Sequence, residues 1–283
     1  MERFFIMLIV TVFFNLNATA EDKGLWDRYF RLVPEEQAHA YQGNTQTPHF
    51  KPESIKAFIW NIKKTQMMNW KQEFETFGKN QDLILLQEAY QNKLFNSTAS
   101  TFKDLRWDMG ISMYYVRDND AATGTMIGSK VSPKEVVVKH SPDNEAVIHT
   151  PKAMTFAKYP IEGKAEELLV ISVHGINITK YGPFKRHMDQ AAEQIENHSG
   201  PILFAGDFNT RTKARTAYLM KMIEKYGFQT VKFKNGHQRM RWKFTDNYLD
   251  HGFVRGLNVK NAYVAGEATG SDHKPMFIEM AVE

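Results

Sequence analysis

The chain has no cysteine among its 283 residues. That excludes thiolate nucleophiles, cysteine-ligated metals and disulfides, so the core alone must hold the fold. A strong charge of either sign is also missing. Lys and Arg number 36 against 32 Asp and Glu, a formal net charge of +4, which permits an anionic partner without demanding one. There is no internal repeat, no low-complexity tract and no second domain boundary. With 42% hydrophobic and 24% charged residues, the composition is that of an ordinary globular protein.

The one long apolar run lies at the N-terminus. Arg3 precedes an uncharged stretch from Phe4 to Phe14, and Ala18-Thr19-Ala20 follows. The run is shorter than the ~20 residues that span a bilayer. Its small-x-small ending is the pattern signal peptidase accepts, so residues 1–20 read as a cleaved signal peptide and Glu21 as the new N-terminus. An uncleaved anchor is the alternative. On the first reading the protein is secreted or periplasmic, with no stable membrane insertion expected. The remaining 263 residues (283 less 20) suit one large α/β domain. Asn96, Asn177 and Asn197 head Asn-x-Ser/Thr triplets, which matter only in a eukaryotic secretory pathway.

Residues 21–53 are polar and carry Pro34, Pro48 and Pro52. They read as an N-terminal arm with a short helix near Trp26–Leu32, and the domain proper as residues 54–283. From Ser54 onward short apolar strands alternate with amphipathic helices. Strands are expected at 55–60, 83–86, 123–128, 134–139, 153–158, 167–173, 201–205, 248–254, 257–264 and 275–280. Trp70, Phe74 and Phe77 share one helical face. A helix from Pro183 to Asn197 buries Phe184, Met188, Ala191, Ala192 and Ile195, and another spans Thr212 to Tyr226, ended by Gly227. Strands outnumber helices and often follow one another directly, which predicts mixed sheets.

Six places put polar residues at strand ends: Trp60-Asn61, Gln87-Glu88, His174, Gly206-Asp207-Phe208-Asn209, Asp250 and Ser271-Asp272-His273. Singly each has an ordinary explanation, because Gly, Asp and Asn form turns and a lone histidine is more often structural. Together they are the residue types that bind a hard cation or move a proton, which fits metal-assisted phosphate-ester hydrolysis. Mg²⁺ takes oxygen ligands and is commonly held by one or two carboxylates. Glu88 is the first ligand candidate, with Asp272 and Asn61 completing the sphere and Mn²⁺ a possible substitute. Asp207 is placed to activate water with help from Asn209. His174 and a protonated His273 are placed to donate to the developing charge, and Asp250 to orient His273.

In this order and with these separations, the motifs resemble the endonuclease/exonuclease/phosphatase superfamily, the DNase I-like fold, over about residues 54–282. Trp60-Asn61-Ile62-Lys63, Leu85-Leu86-Gln87-Glu88-Ala89 and His198-Ser199-Gly200-Pro201 further resemble its compact bacterial YafD-type subgroup. The resemblance implies an α/β four-layer sandwich of two mixed β-sheets flanked by helices. It implies Asn61, Glu88 and Asp272 at the metal, and His174 and His273 on the scissile phosphate. Asp207 and Asn209 would handle the water, and Asp250 would orient His273. Asp207 is favoured as the base over the histidine–acid pair. Nuclease members often add a Tyr, Arg or Glu before the first histidine, and here only Tyr115 and Arg117 stand as candidates.

The same site serves nucleases, sphingomyelinases and phosphomonoesterases, so substrate class rests on the loops. Arg211, Lys213 and Arg215 follow the Asp207 motif and are expected to overhang the site. Lys232, Lys234, His237, Arg239, Arg241 and Lys243 alternate with Phe233, Trp242 and Phe244, a mixture suited to nucleic acid. No paired aromatic hairpin tip of the sphingomyelinase kind is evident. The expected function is therefore a phosphodiesterase, most simply an endonuclease. A lipid or small-molecule phosphoesterase comes second. A non-catalytic binding protein or toxin subunit on the same scaffold is the competing class, although no protein partner can be inferred.

Overall fold

The computed structural model describes residues 27–146 and 149–283. The expected signal peptide lies outside the described residues. Two mixed sheets form the centre. The first runs β1 (Phe30–Leu32), β5 (Arg106–Tyr115), β6 (Ala121–Ser129), β4 (Leu83–Tyr90), β3 (Ile55–Asn61), β14 (Met276–Val282) and β13 (Leu257–Val264), with β2 (His39–Gly43) also paired to β5. The second runs β11 (Gln229–Thr230), β12 (Asp250–Arg255), β10 (Ile202–Asp207), β9 (Glu167–His174), β8 (Ala153–Pro160) and β7 (Glu135–His140). β3 pairs parallel with β4 and β9 parallel with β10, and the other pairings are antiparallel.

Strand alternation sorts the apolar side chains into layers. Ile55, Ala57 and Ile59 of β3 meet Val170, Leu203 and Ala205 of the second sheet in the core between the sheets. Phe58 and Trp60 point the other way, onto Trp70 and Phe74 of α1 (Trp70–Gly78) and Phe95 of α2 (Lys93–Ala99). On the far side, Ile171 and Phe204 pack against Phe184 and Met188 of α3 (Tyr181–Glu196) and Leu219 and Ile223 of α4 (Lys213–Lys225). The result is the expected four-layer sandwich, with helices outside and sheets inside.

Several segments differ from expectation, the helix Lys93–Ala99 among them. Residues 30–32 and 39–43 of the expected arm form strands on β5, and Ile111 N donates to Ala38 O at 2.7 Å. The helix expected near Trp26–Leu32 is a turn leading into β1, with Trp26 outside the described residues. β5 itself was not anticipated. Seven of its ten residues are buried, although Trp107, Met109, Ile111 and Met113 alternate with the polar or small Arg106, Asp108, Gly110 and Ser112.

Candidate active site

The site forms where strand ends of both sheets meet. Asn61 ends β3 directly beside Gln87 of β4. In the second sheet Asp207 pairs with His174 on one side and Asp250 on the other, a row of three candidate side chains across adjacent strands. Close approach depends on Gly206, at φ 142°, where an added Cβ would sit 2.3 Å from Val173 O. The loop before β14 closes the ring. Ser271 Oγ donates to Asn61 O at 2.7 Å and Trp60 Nε1 donates to His273 O at 3.0 Å.

Asp207 is the hub. Its Oδ2 accepts from Asn61 Nδ2 at 3.0 Å and lies 3.8 Å from Nε2 of both His174 and His273. Its Oδ1 accepts from Asn209 N at 2.9 Å. Burial pushes its pKa up to about 7 and nearby Asp250 adds to this, against the pull of His273, Asn209 and Asn61. His273 goes the opposite way to a bare buried imidazole. Burial would lower it, but Asp250, with both carboxylate oxygens 2.9 Å from Nδ1, and Asp207 together raise it to about 10. His174 is pushed well below the ordinary value by burial and by Lys152, despite Glu88. Near neutral pH the site thus holds one imidazolium, one neutral imidazole and a carboxylate of raised basicity. Asn209, held at φ 51°, commits Nδ2 to Gly175 O at 3.0 Å, leaving its amide oxygen to address water.

Glu88 leaves the ladder at a β-bulge between Leu86 and Ala89 and takes φ 50°, a conformation that re-aims its side chain into the site. Its Oε2 is 2.7 Å from Lys64 Nζ, and its Oε1 is 4.0 Å from His174 Nε2. Asp272 Oδ2 is 2.9 Å from Lys63 Nζ. Adjacent lysines thus reach two different carboxylates. The backbone allows this through three consecutive left-handed residues, Lys63, Lys64 and Thr65 (φ 45°, 52° and 59°). Such non-glycine residues cost ~1–3 kcal/mol each, and in folded proteins they gather at functional sites. Burial opposes charge on Glu88, but Lys64, His174 and Lys152 outweigh it and hold its carboxyl below the usual range.

Two places have donors for a divalent cation. Asp207, Asp250 and His273 offer atoms within 4.8 Å of one another, but His273 keeps its proton between the two carboxylates and has no lone pair to give. Glu88 and Asp272 supply the hard carboxylate oxygens that Mg²⁺ prefers, although each is paired with a lysine. Asn61 positions the hub: its Nδ2 donates to Asp207 Oδ2 and its Oδ1 accepts from Lys63 N at 3.1 Å.

The sequence profile of the Endonuclease/Exonuclease/phosphatase family matches residues 58–273, which contain every residue of this cluster. The chain belongs to this family. A UPF0294 protein of Vibrio campbellii is 30% identical over 234 residues, covering 82% of this chain and 79% of the relative. This bears out the likeness to the YafD-type subgroup. An endonuclease/exonuclease/phosphatase family protein from Leptotrichia buccalis superposes with a TM-score of 0.60 at 17% identity, over 81% of this chain and 99% of that one. D. rerio TDP2 complexed with single strand DNA product superposes with a TM-score of 0.57 at 14% identity, over 81% and 99%. Both show the same fold.

Around this endonuclease/exonuclease/phosphatase centre, the expected substrate-side residues separate. Lys213 is exposed and Arg211 half-buried. Arg215 is not available to a substrate. The first turn of α4 points it inward, only 2% exposed, and its guanidinium donates to the carbonyls of Ile176, Asn209, Asn177 and Thr179 at 2.8–3.1 Å. It clamps the loop after His174 to the loop after Asp207.

The basic-aromatic stretch also divides. Arg239 donates to Asp250 O, and Arg241 pairs with Asp246 and Tyr248. The tip between them contradicts the expected absence of an aromatic hairpin tip. An antiparallel bridge joins Arg241 to Tyr248, and Trp242 and Phe244 meet there with centroids 5.5 Å apart. Phe244 is 73% exposed. The turn brings together an i, i+2 pair, which in the linear sequence is not a run of adjacent aromatics. Arg211 stacks on Trp242 at 4.4 Å and its carbonyl accepts from Thr245 Oγ1. The tip is thereby tied to the Asp207 loop.

Of the Tyr and Arg candidates before the first histidine, Arg117 stacks on Tyr29 at 4.0 Å, whereas Tyr115 lies near Lys64. Lys64, Lys152 and Glu145 were not anticipated. Buried Glu145 accepts from Asn177 N at 2.9 Å and pairs with Lys152 at 3.2 Å, steadying the loop beyond His174.

Proposed function

We propose that this protein is a secreted or periplasmic, divalent-metal-dependent phosphodiesterase whose substrate is a nucleic acid. The observation that carries the hydrolytic reading is Asp207 Oδ2 lying 3.8 Å from two imidazoles, one protonated and one neutral. The gap is too wide for direct hydrogen bonds and suits an intervening oxygen of water or phosphate. Asp207 takes the proton of the attacking water, whose position Asn209 helps to fix. The His273 imidazolium donates through Nε2 to the phosphate, and neutral His174 donates to a second oxygen. His273 stays protonated through Asp250, so it serves as donor and Asp207 as base. When bound at Glu88 and Asp272, Mg²⁺ or Mn²⁺ would polarise the phosphate and neutralise its charge.

Support for nucleic acid comes from the rim. Arg211, Lys213 and Lys243 supply cations, and the Trp242–Phe244 tip supplies a ring on which a base can stack. D. rerio TDP2, of the same fold, is described with single strand DNA product. Exposed Phe244 beside Lys243 also gives a membrane-lipid phosphodiester a specific foothold. A panel decides between them: plasmid DNA, single-stranded DNA, sphingomyelin vesicles and an aryl phosphomonoester, each with Mg²⁺. Activity largest on DNA supports the proposal, and activity confined to vesicles overturns its substrate. Arg211 and Lys213 changed together to alanine should raise KM on DNA. The change should also reduce the slope of log affinity against log salt by about 1–2, since each phosphate contact contributes ~0.7–0.9. An unchanged slope would remove both residues from the substrate path.

A further inference from the structure

We propose that Lys64 is a resident counter-cation of the metal face, competing with the divalent ion for Glu88 and so setting the affinity of the site for metal. This rests on the reading of Glu88 as a metal ligand.

The geometry of one carboxylate oxygen carries the inference. Glu88 Oε2 is 2.7 Å from Lys64 Nζ, a charge-assisted hydrogen bond, while Oε1 faces His174 at 4.0 Å. A divalent cation at Glu88 would place a second positive charge within a few ångströms of the ammonium. Lys152 already lies nearby, as its pull on both Glu88 and His174 shows. Glu145, the other carboxylate that could share the load, is committed to Lys152 and to two backbone amides. Metal and ammonium therefore cannot both hold Glu88 without strong repulsion, and one gains the carboxylate as the other leaves.

The backbone shows that Lys64 is built into this position. Its left-handed φ lies in a run of three, and the run is fixed at both ends. Ile62 N donates to Gln87 O at 3.0 Å before it, and Asn92 Nδ2 donates to Thr65 Oγ1 at 3.3 Å after it. Lys64 and Glu88 side chains are each about a quarter exposed, 24% and 23%. Lys63 stands in the same relation to Asp272, but that pair is more exposed, Lys63 at 37% and Asp272 at 42%. Its competition should be the weaker of the two.

The test is Mn²⁺ binding to the chelator-treated protein, followed by electron paramagnetic resonance of the free ion, with no substrate present. Lys64→Met, which keeps the stem and removes the charge, should bind Mn²⁺ more tightly than wild type by on the order of tenfold. Lys64→Arg should bind like wild type, and Lys64→Gln makes the same comparison if the methionine variant does not fold. Affinity of the uncharged variants within twofold of wild type, or weaker, overturns the proposal. Glu88→Gln separates the two levels. If it loses Mn²⁺ while Lys64→Met is unchanged, only the competition fails. If it binds Mn²⁺ as wild type does, the reading of Glu88 as a ligand fails as well.

Discussion

Asp207→Ala should lower kcat/KM on a phosphodiester by about 10²- to 10⁴-fold, the usual contribution of a positioned proton acceptor. The wild-type pH profile should identify the groups at work. Asp207 is held above the ordinary carboxylate value, so its base form dominates only above about 7 and activity rises through that range. His273 is held above the ordinary imidazole value, so the donor cation persists until about 10 and activity falls beyond it. Asp207→Ala should abolish the acidic limb. Stability should move the other way. A carboxyl whose folded-state pKa is raised opposes folding once ionised, and the penalty is fully present above about pH 7. At pH 8 the variant should therefore melt no lower than wild type. Near-normal activity with the acidic limb intact would place the base elsewhere.

Arg215→Met should destabilise the fold by about 3 kcal/mol or more, read as a lower denaturant midpoint at unchanged slope. The guanidinium is the shared donor for carbonyls of Ile176, Asn209, Asn177 and Thr179, and it also meets Thr179 Oγ1 at 2.9 Å. Each carbonyl left without a partner costs ~1–3 kcal/mol where water cannot replace the donor. Activity should fall too, because the clamp joins the chain segments that carry His174 and Asn209. Normal stability with a raised KM would return Arg215 to the substrate path, where its place in the sequence suggested it belonged.

That contrast shows what a linear pattern can reveal. Asn61, Glu88, His174, Asp207, Asp250 and His273 were legible because each sits at or next to a strand end, and mixed pairing brings those ends to one edge. The layers were legible because Ile55 to Trp60 alternates faces and Phe184 to Ile195 keeps a helical stripe. Arg215 was misplaced because closeness to a motif does not reveal which way the first helical turn points. β5 escaped although Trp107 to Met113 alternates, because Asp108 suggests a solvent-facing segment until Arg106 and His39 are seen to meet its buried carboxylate. Lys64 escaped for another reason. Its role depends on a left-handed run of ordinary residues, where no glycine marks the turn, and on a contact 24 residues along the chain. The Trp242–Phe244 tip needed the Arg241–Tyr248 bridge to become visible.

The most direct measurement is plasmid nicking by the purified protein with Mg²⁺, with chelator, and with His273→Ala alongside. Nicking that requires both the metal and His273 is the predicted result. Nicking that survives chelation, or that the His273→Ala protein performs as fast as wild type, would contradict metal-assisted hydrolysis at this cluster.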